Sequence, residues 1–199
     1  MKLFWLPVSP YARKTLIAAR EHGIDDGLEL IETKVNPPNA ALMRHNPLNK
    51  VPTLLLDDGM ALYDSVVICE YFDSIGRGPK LFPSSGAARW DALRRHALGT
   101  GFADVLIAWR TEITQAPELQ SKELIDKYML KTKRILESLE HDAHNERATF
   151  DIGDIAIGCA LAYMSFRFPQ FAPDRSSALH RWYEAFDARP SVAATRITP

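Results

Sequence analysis

Cysteine is nearly absent from this chain: Cys69 and Cys159 are the only two. Each sits inside an apolar stretch of helical pattern, where a small buried thiol is ordinary, so no disulfide framework is expected. No Cys-x-x-Cys redox pair is present either. Charge of one sign is missing as well. The 24 basic and 25 acidic residues leave a formal net charge of −1, so nothing in the overall field draws nucleic acid or an anionic membrane surface. No apolar run approaches the roughly 18 residues of a membrane span. The apolar segment at residues 3–6 stops at Pro7, far short of a signal-peptide core, and the expected location is cytoplasmic. Metal-ligand spacing is also wanting. His141 and His144 stand three apart on a helical segment, but no cysteine or further histidine accompanies them at ligand spacing, so no metal is expected.

What is present is a change of pattern partway along the chain. With 46% hydrophobic residues over 199 positions, the length suits one large domain or two small ones. Residues 2–6 read as a short strand, and Pro10 suits the first turn of a helix, where its missing N–H is no loss. Residues 28–33 read as a second strand and residues 36–47 as a proline-bounded connection. Residues 53–56 and 60–63 flank Asp57-Asp58-Gly59 as a hairpin. Asp64 and Ser65 are N-cap types ahead of Val67, Ile68, Tyr71, Phe72 and Ile75 at helical spacing. Residues 1–76 therefore form an α/β unit, residues 77–86 a glycine- and proline-bearing linker, and residues 87–199 an all-helical unit. In the second unit, residues 155 onward are apolar nearly all round, which predicts a central buried helix, with Asp151 and Asp154 spaced as a capping box.

Three motifs carry chemistry. "SPYA", Ser9-Pro10-Tyr11-Ala12, stands at the first strand-to-helix junction, where a thiol oxidoreductase would hold its cysteine pair. "NPLNKVPTLLLDDGMALYDSVVICEYF", residues 46–72, runs from an Asn-Pro through Val51-Pro52 and a hairpin to the acidic-Ser pair Asp64-Ser65. "FDIGDIAIGCALAY", residues 150–163, is a capped apolar helix, and "RWYEAFDARPSV", residues 181–192, closes the chain. On the residues alone, Ser9 reads as a turn residue and Asp64-Ser65 as a helix cap. Phe102, Trp109 and Arg110 either line a pocket or pack between helices.

In this order and spacing, the motifs resemble the cytosolic glutathione transferases, of the serine-type, bacterial-like kind, over almost the full chain. The resemblance implies a thioredoxin-like N-terminal domain plus an all-α C-terminal domain, with glutathione as co-substrate and no metal. It implies that Ser9 is catalytic, activating the thiol of glutathione, and that Pro52 is a cis-proline. It also implies that Val51 presents its backbone to the cysteinyl part of the tripeptide, and that Asp64 and Ser65 take the γ-glutamyl end. Lys50, Asn49, His45 and Lys34 fall near the glycyl end, and Arg13 either adds positive potential or is solvated. The partners it implies are a small, mostly apolar electrophile and a second copy of the chain in a homodimer, with no nucleic acid and no membrane. Related readings are another glutathione-dependent reaction, such as peroxidation, isomerisation or dehalogenation, and a non-catalytic interaction module on the same fold.

Overall fold

The computed structural model describes residues 1–145 and 149–197. Strand β1 (Lys2–Trp5) leads into α1 (Pro10–Glu21), followed by β2 (Glu29–Glu32), the single turn α2 (Ala40–Met43), β3 (Thr53–Leu55), β4 (Ala61–Leu62) and α3 (Ser65–Ile75). The remainder is helical: α4 (Gly86–Ile113), α5 (Lys122–Ala143), α6 (Ile152–Arg167), α7 (Ala178–Asp187) and the short α8 (Pro190–Ala193). The strands form one sheet in the order β2-β1-β3-β4. β1 is parallel to β2 and antiparallel to β3, and β4 returns antiparallel on β3. This is the thioredoxin-like mixed sheet followed by a helical region. Among the described residues no helix is long and apolar enough to cross a membrane.

Local chemistry explains the boundaries. Ser9, Asn39, Asp64, Ser121, Asp151 and Ser177 each cap the helix that follows with a side-chain oxygen, which satisfies amides that have no partner within the helix. One core continues across the two parts of the chain: Leu3, Ile17, Leu54, Ile68 and Phe72 pack with Leu81, Ile152, Ile155 and Phe186. The connecting segment is held as firmly. Asp73 accepts from the amides of Leu81 and Phe82 at 2.6 and 3.3 Å, and Leu81 in turn accepts from Ile152.

In α3 the inward face is Ser65, Ile68, Cys69, Phe72 and Asp73. Val67 and Ile75, expected on the buried stripe, are instead 43% and 47% exposed, because the face that meets α1 and the sheet is rotated by one position. The choice left open for Phe102 and Trp109 falls to packing: both are buried, and Trp109 stacks on Phe168 with centroids 4.4 Å apart. Arg13 is neither solvated nor aimed at the site. It is buried at 3% exposure, donates to the Val192 carbonyl and lies 3.6 Å from Asp187, joining α1 to the C-terminal helices.

Helix α6 is buried from Ile152 to Met164. It runs alongside α4 in the same direction, since Gly153 meets Ala92 and Arg95, Gly99 meets Ala156, and Trp109 meets Phe168. A methyl group on Gly99 would come within 2.5 Å of the Ala156 backbone, so glycine permits this close approach. The capping box of Asp151 and Asp154 is formed, and it has a partner that the spacing did not show. Arg95, 1% exposed, donates to both oxygens of Asp151 at 3.1 Å and to Asp154. Burial outweighs Arg95 at Asp151 and holds its carboxyl above the usual range. The ion cluster is thus a requirement once its charges are inside, more than a net gain. Asp151→Ala removes a cap and half of the compensation for a buried guanidinium. It should destabilise the protein by about 3 kcal/mol and lower Tm by roughly 10 °C in calorimetry. Superimposable melts of wild type and variant would refute the account.

Candidate active site

Strand register brings the predicted residues to one end of the sheet. Phe4 faces Thr53 across β1 and β3, and Leu54 faces Leu62 across β3 and β4. The C-terminal end of β1, the N-terminal end of β3 and the C-terminal end of β4 therefore share an edge, and Ser9, Val51-Pro52 and Asp64-Ser65 follow or precede those ends directly. The Thr33 amide donates to the Trp5 carbonyl, so the segment holding Lys34 leaves β2 at this edge too.

Ser9 is half-buried and is the N-cap of α1. Its Oγ accepts from the Ala12 amide at 3.2 Å. A hydroxyl that accepts through a lone pair still has its proton to give, and the positive end of α1 lies beside it. The Val51–Pro52 peptide is cis. Its approach is fixed by Thr53, which donates to the Lys50 carbonyl at 2.8 Å, and by Asn46, which donates to Thr53 at 2.9 Å. Asp64 accepts from the Val66 amide at 2.8 Å while remaining exposed, and Ser65 is buried behind it.

The loosely placed residues divide. Asn49, at φ 51°, accepts from the Asn39 amide and donates to the Val35 carbonyl at 2.9 and 2.8 Å, so it braces the loop. His45 stacks on Phe4 with centroids 5.6 Å apart, and Lys34 and Lys50 are exposed. His144 lies 3.7 Å from Glu140, and the described residues contain no group of three or more metal-type side chains.

The helical part closes the cleft through residues that sequence reasoning missed. The Tyr11 hydroxyl, two residues past Ser9, donates to Asp104 of α4. Burial first, and then Asp104, push the Tyr11 pKa up, so it stays a neutral donor. Nothing local to Tyr11 announces a partner 93 positions away. One turn on, Lys14 is 2% exposed, with its Nζ 3.0 Å from His96 Nε2 and 3.1 Å from Thr100 Oγ1. Donation from Lys14 assigns a lone pair to Nε2 and hence a neutral imidazole. A separate cavity of about 690 Å³, lined by Phe150, Trp182, Phe186 and Arg181 among others, is near the start of α6. It includes none of the predicted site residues.

The chain's own thiols are poor nucleophiles. Burial pushes Cys69 up to about 12 and Cys159 up to about 11, so neither is a thiolate at neutral pH. Any sulfur chemistry here uses a thiol brought in from outside.

Comparison with known proteins agrees with this geometry. Residues 8–75 match the family model of the glutathione S-transferase N-terminal domain. The GST-like protein YibF of Escherichia coli is 30% identical over 98% of both chains. A glutathione transferase family member from Pseudomonas fluorescens, solved with glutathione bound, is 37% identical, covers 100% of this chain and 99% of its own, and superposes with a TM-score of 0.92. A glutathione S-transferase from Methylobacillus flagellatus, also with glutathione bound, is 32% identical over 99% of both chains, with a TM-score of 0.90.

The buried base pair between α1 and α4 makes stability depend on pH in a defined direction. Burial, then Lys14, lowers His96 from 6.5 to about 3, so the folded protein holds fewer protons than the unfolded chain between those values. His96 therefore contributes fully above pH 6.5, and that contribution drains away as the pH falls toward 3, by about 1.4 kcal/mol per unit. His96→Gln keeps an acceptor for Lys14 and cannot titrate. In urea melts the stability of wild type relative to this variant should fall by about that slope between pH 6 and 4. A difference independent of pH would rule the coupling out.

Proposed function

Because this chain belongs to the glutathione S-transferase family, we propose that it binds glutathione at the sheet edge and activates the tripeptide's thiol for attack on a small electrophile. The observation that carries the reading is the Ser9 hydroxyl: its lone pair is taken by the Ala12 amide, its proton is free to donate, and it sits where Pro52 and Asp64-Ser65 converge. Relatives that bind glutathione support it, as does a P. fluorescens family member, 35% identical with a TM-score of 0.87, that carries S-(propanoic acid)-glutathione.

The residues divide the tripeptide among them. Val51 offers its backbone N–H and C=O to the cysteinyl part in the manner of an added strand. The start of α3, with the Ser65 hydroxyl, receives the γ-glutamyl carboxylate, and the Asp64 carboxylate attracts the ammonium on the same residue. The exposed Lys50 side chain answers the glycyl carboxylate. A free thiol of pKa near 8.5 is only about 3% ionised at pH 7. Ser9 donating to sulfur at the positive end of α1 favours the anion, and a depression of two units requires about 2.7 kcal/mol, the size of one charge-assisted hydrogen bond plus a helix end. The thiolate then attacks the electrophilic carbon, a carbon–sulfur bond forms, and the leaving group departs with its electron pair.

The working unit in this proposal is a cytoplasmic homodimer. Val67 and Ile75 of α3 are exposed, and so is Trp90 of α4 at 71%. Arg89 lies 3.8 Å from Glu70, which brings the start of α4 near α3. Exposed apolar groups on neighbouring helix ends are the kind an interface covers, and Trp90→Glu should convert the dimer to monomer in sedimentation equilibrium. A wild type that sediments as a monomer would remove the dimer from the proposal.

Two substitutions separate binding from activation. Ser65→Ala should weaken glutathione about tenfold in calorimetry, through loss of a hydrogen bond to a charged group. Ser9→Ala should leave that affinity within about twofold while raising the bound thiol's pKa by one to two units in thiolate absorbance titrations. It should also lower conjugation at pH 7 about tenfold or more. If Ser9→Ala keeps the wild-type rate from pH 6 to 9, another group activates the thiol.

A further inference from the structure

The cavity of about 690 Å³ beside the start of α6 shares no residue with the sheet-edge site, and its size is that of a small-molecule site, about 300–1,000 Å³. One wall is a single face of α7 and the residues just past it. Ala178, Arg181, Trp182, Ala185, Phe186 and Arg189 all line the cavity, at the i, i+3, i+4, i+7, i+8, i+11 spacing of one helical stripe. Phe150, two residues ahead of α6, joins them. Trp182 stacks on Phe186 with centroids 5.7 Å apart and planes 10° from parallel, and Phe150 lies 6.3 Å from the same ring. Phe186 is buried, but Trp182 and Phe150 are only half-buried, so aromatic surface stays open to this space.

This lining is braced from behind. The Phe186 ring presses on Gly158 of α6, where a methyl group would come within 2.3 Å of it. Arg189 places its Cζ 3.7 Å from the centre of the Phe150 ring and donates to both oxygens of Glu21 at 3.1 and 2.9 Å, so Phe150 is held through α1. A wall fixed in this way costs little further ordering when a ligand binds. Most charge on the lining is already compensated: Glu21 answers Arg189, Arg95 answers Asp154, and His144 lies 3.7 Å from Glu140. Arg181 differs. It is exposed and donates to the Ser176 carbonyl at 2.6 Å, and no carboxylate pairs with it among the described residues. The uncompensated charge of the cavity is therefore positive, and its bearer is the chain neighbour of Trp182.

We propose that this cavity is a second ligand site, distinct from the sheet edge, that takes a planar aromatic anion. The rings of the ligand lie against Trp182, Phe150 and Phe186, and its anionic group accepts from the remaining donors of the Arg181 guanidinium. Ring-on-ring contact of this kind adds to the burial of apolar area, and the guanidinium fork matches an oxyanion. An aliphatic anion lacks the first contact and a neutral ring system lacks the second. Binding here involves no covalent step.

The test uses two fluorescent probes with the same rings, 8-anilinonaphthalene-1-sulfonate and the uncharged N-phenyl-1-naphthylamine. Each is titrated into the full chain with S-hexylglutathione present to occupy the candidate active site. Wild type should bind one sulfonate probe per chain, more tightly than the uncharged probe. Arg181→Gln should weaken the sulfonate probe about fivefold, the scale of a solvent-exposed charge pair, while the uncharged probe stays within about twofold. Ala185→Trp puts an indole into the cavity and should weaken both probes by about tenfold or more. Both positions are exposed, so both variants should melt as the wild type does. If S-hexylglutathione abolishes binding, the probe occupies the active site only and the second site is wrong. It is equally wrong if Ala185→Trp binds the sulfonate probe as tightly as the wild type, or if Arg181→Gln affects the two probes alike.

Discussion

Arg95 lies 1% exposed between the carboxylates of Asp151 and Asp154, and much of the helical half follows from it. A buried guanidinium without compensation is strongly destabilising, so α4 must present this residue to the first turn of α6. The first turn of α6, capped by the same two carboxylates, must in turn lie against α4. Gly153 and Gly99 let the two backbones approach at successive turns, and the Trp109–Phe168 stack continues the contact at the far end. Registering α4 on α6 also sets where Asp104 meets Tyr11 of α1. The contact of α4 with the start of α1 is therefore positioned by an interaction elsewhere on the same helix pair.

The sheet solves a different problem. Its strands are short, three to four residues for β1, β2 and β3, and they do not by themselves bury much surface. Their service to the site is register. Antiparallel pairing of β3 with both β1 and β4 forces three chain segments to turn at one edge, and each turn carries polar groups that the adjoining helices leave unpaired. Ser9 and Asp64 cap helices and stand at this shared edge at once. A side chain that accepts from a helix amide is held in one orientation, so its remaining proton or oxygen is aimed before any ligand arrives.

Between the two parts, α1 is the shared element. One end of it carries Ser9 and Tyr11, its middle holds Lys14 against His96 and Thr100, and Arg13 reaches the C-terminal helices. Glu21 at its far end accepts from Arg189, at 2.9 Å in the closest contact. Polar contacts along this helix are buried and specific, which fixes the rotation of α1 about its axis. That rotation decides which groups of α1 face the sheet edge and which face α4.

Much was determined by the sequence alone: the two-part pattern of elements, the caps at Asp64 and Asp151, the buried α6, and the family motifs around Ser9, Val51-Pro52 and Asp64-Ser65. These are legible because caps, turns and hydrophobic period act over a few residues, so local sequence encodes them. The inward face of α3 is not legible in this way, because its apolar residues cover more than one stripe, and only packing selects Ile68, Cys69 and Phe72 over Val67 and Ile75. Nothing local marks Arg13 and Lys14 as buried, since charged residues are usually exposed. Their partners, Val192, Asp187, His96 and Thr100, lie far away in the chain. The same distance hides Arg95 with Asp151 and Tyr11 with Asp104. A pair of residues from separate helices has no spacing to betray it, and only the packing of α1, α4 and α6 decides which charges are compensated.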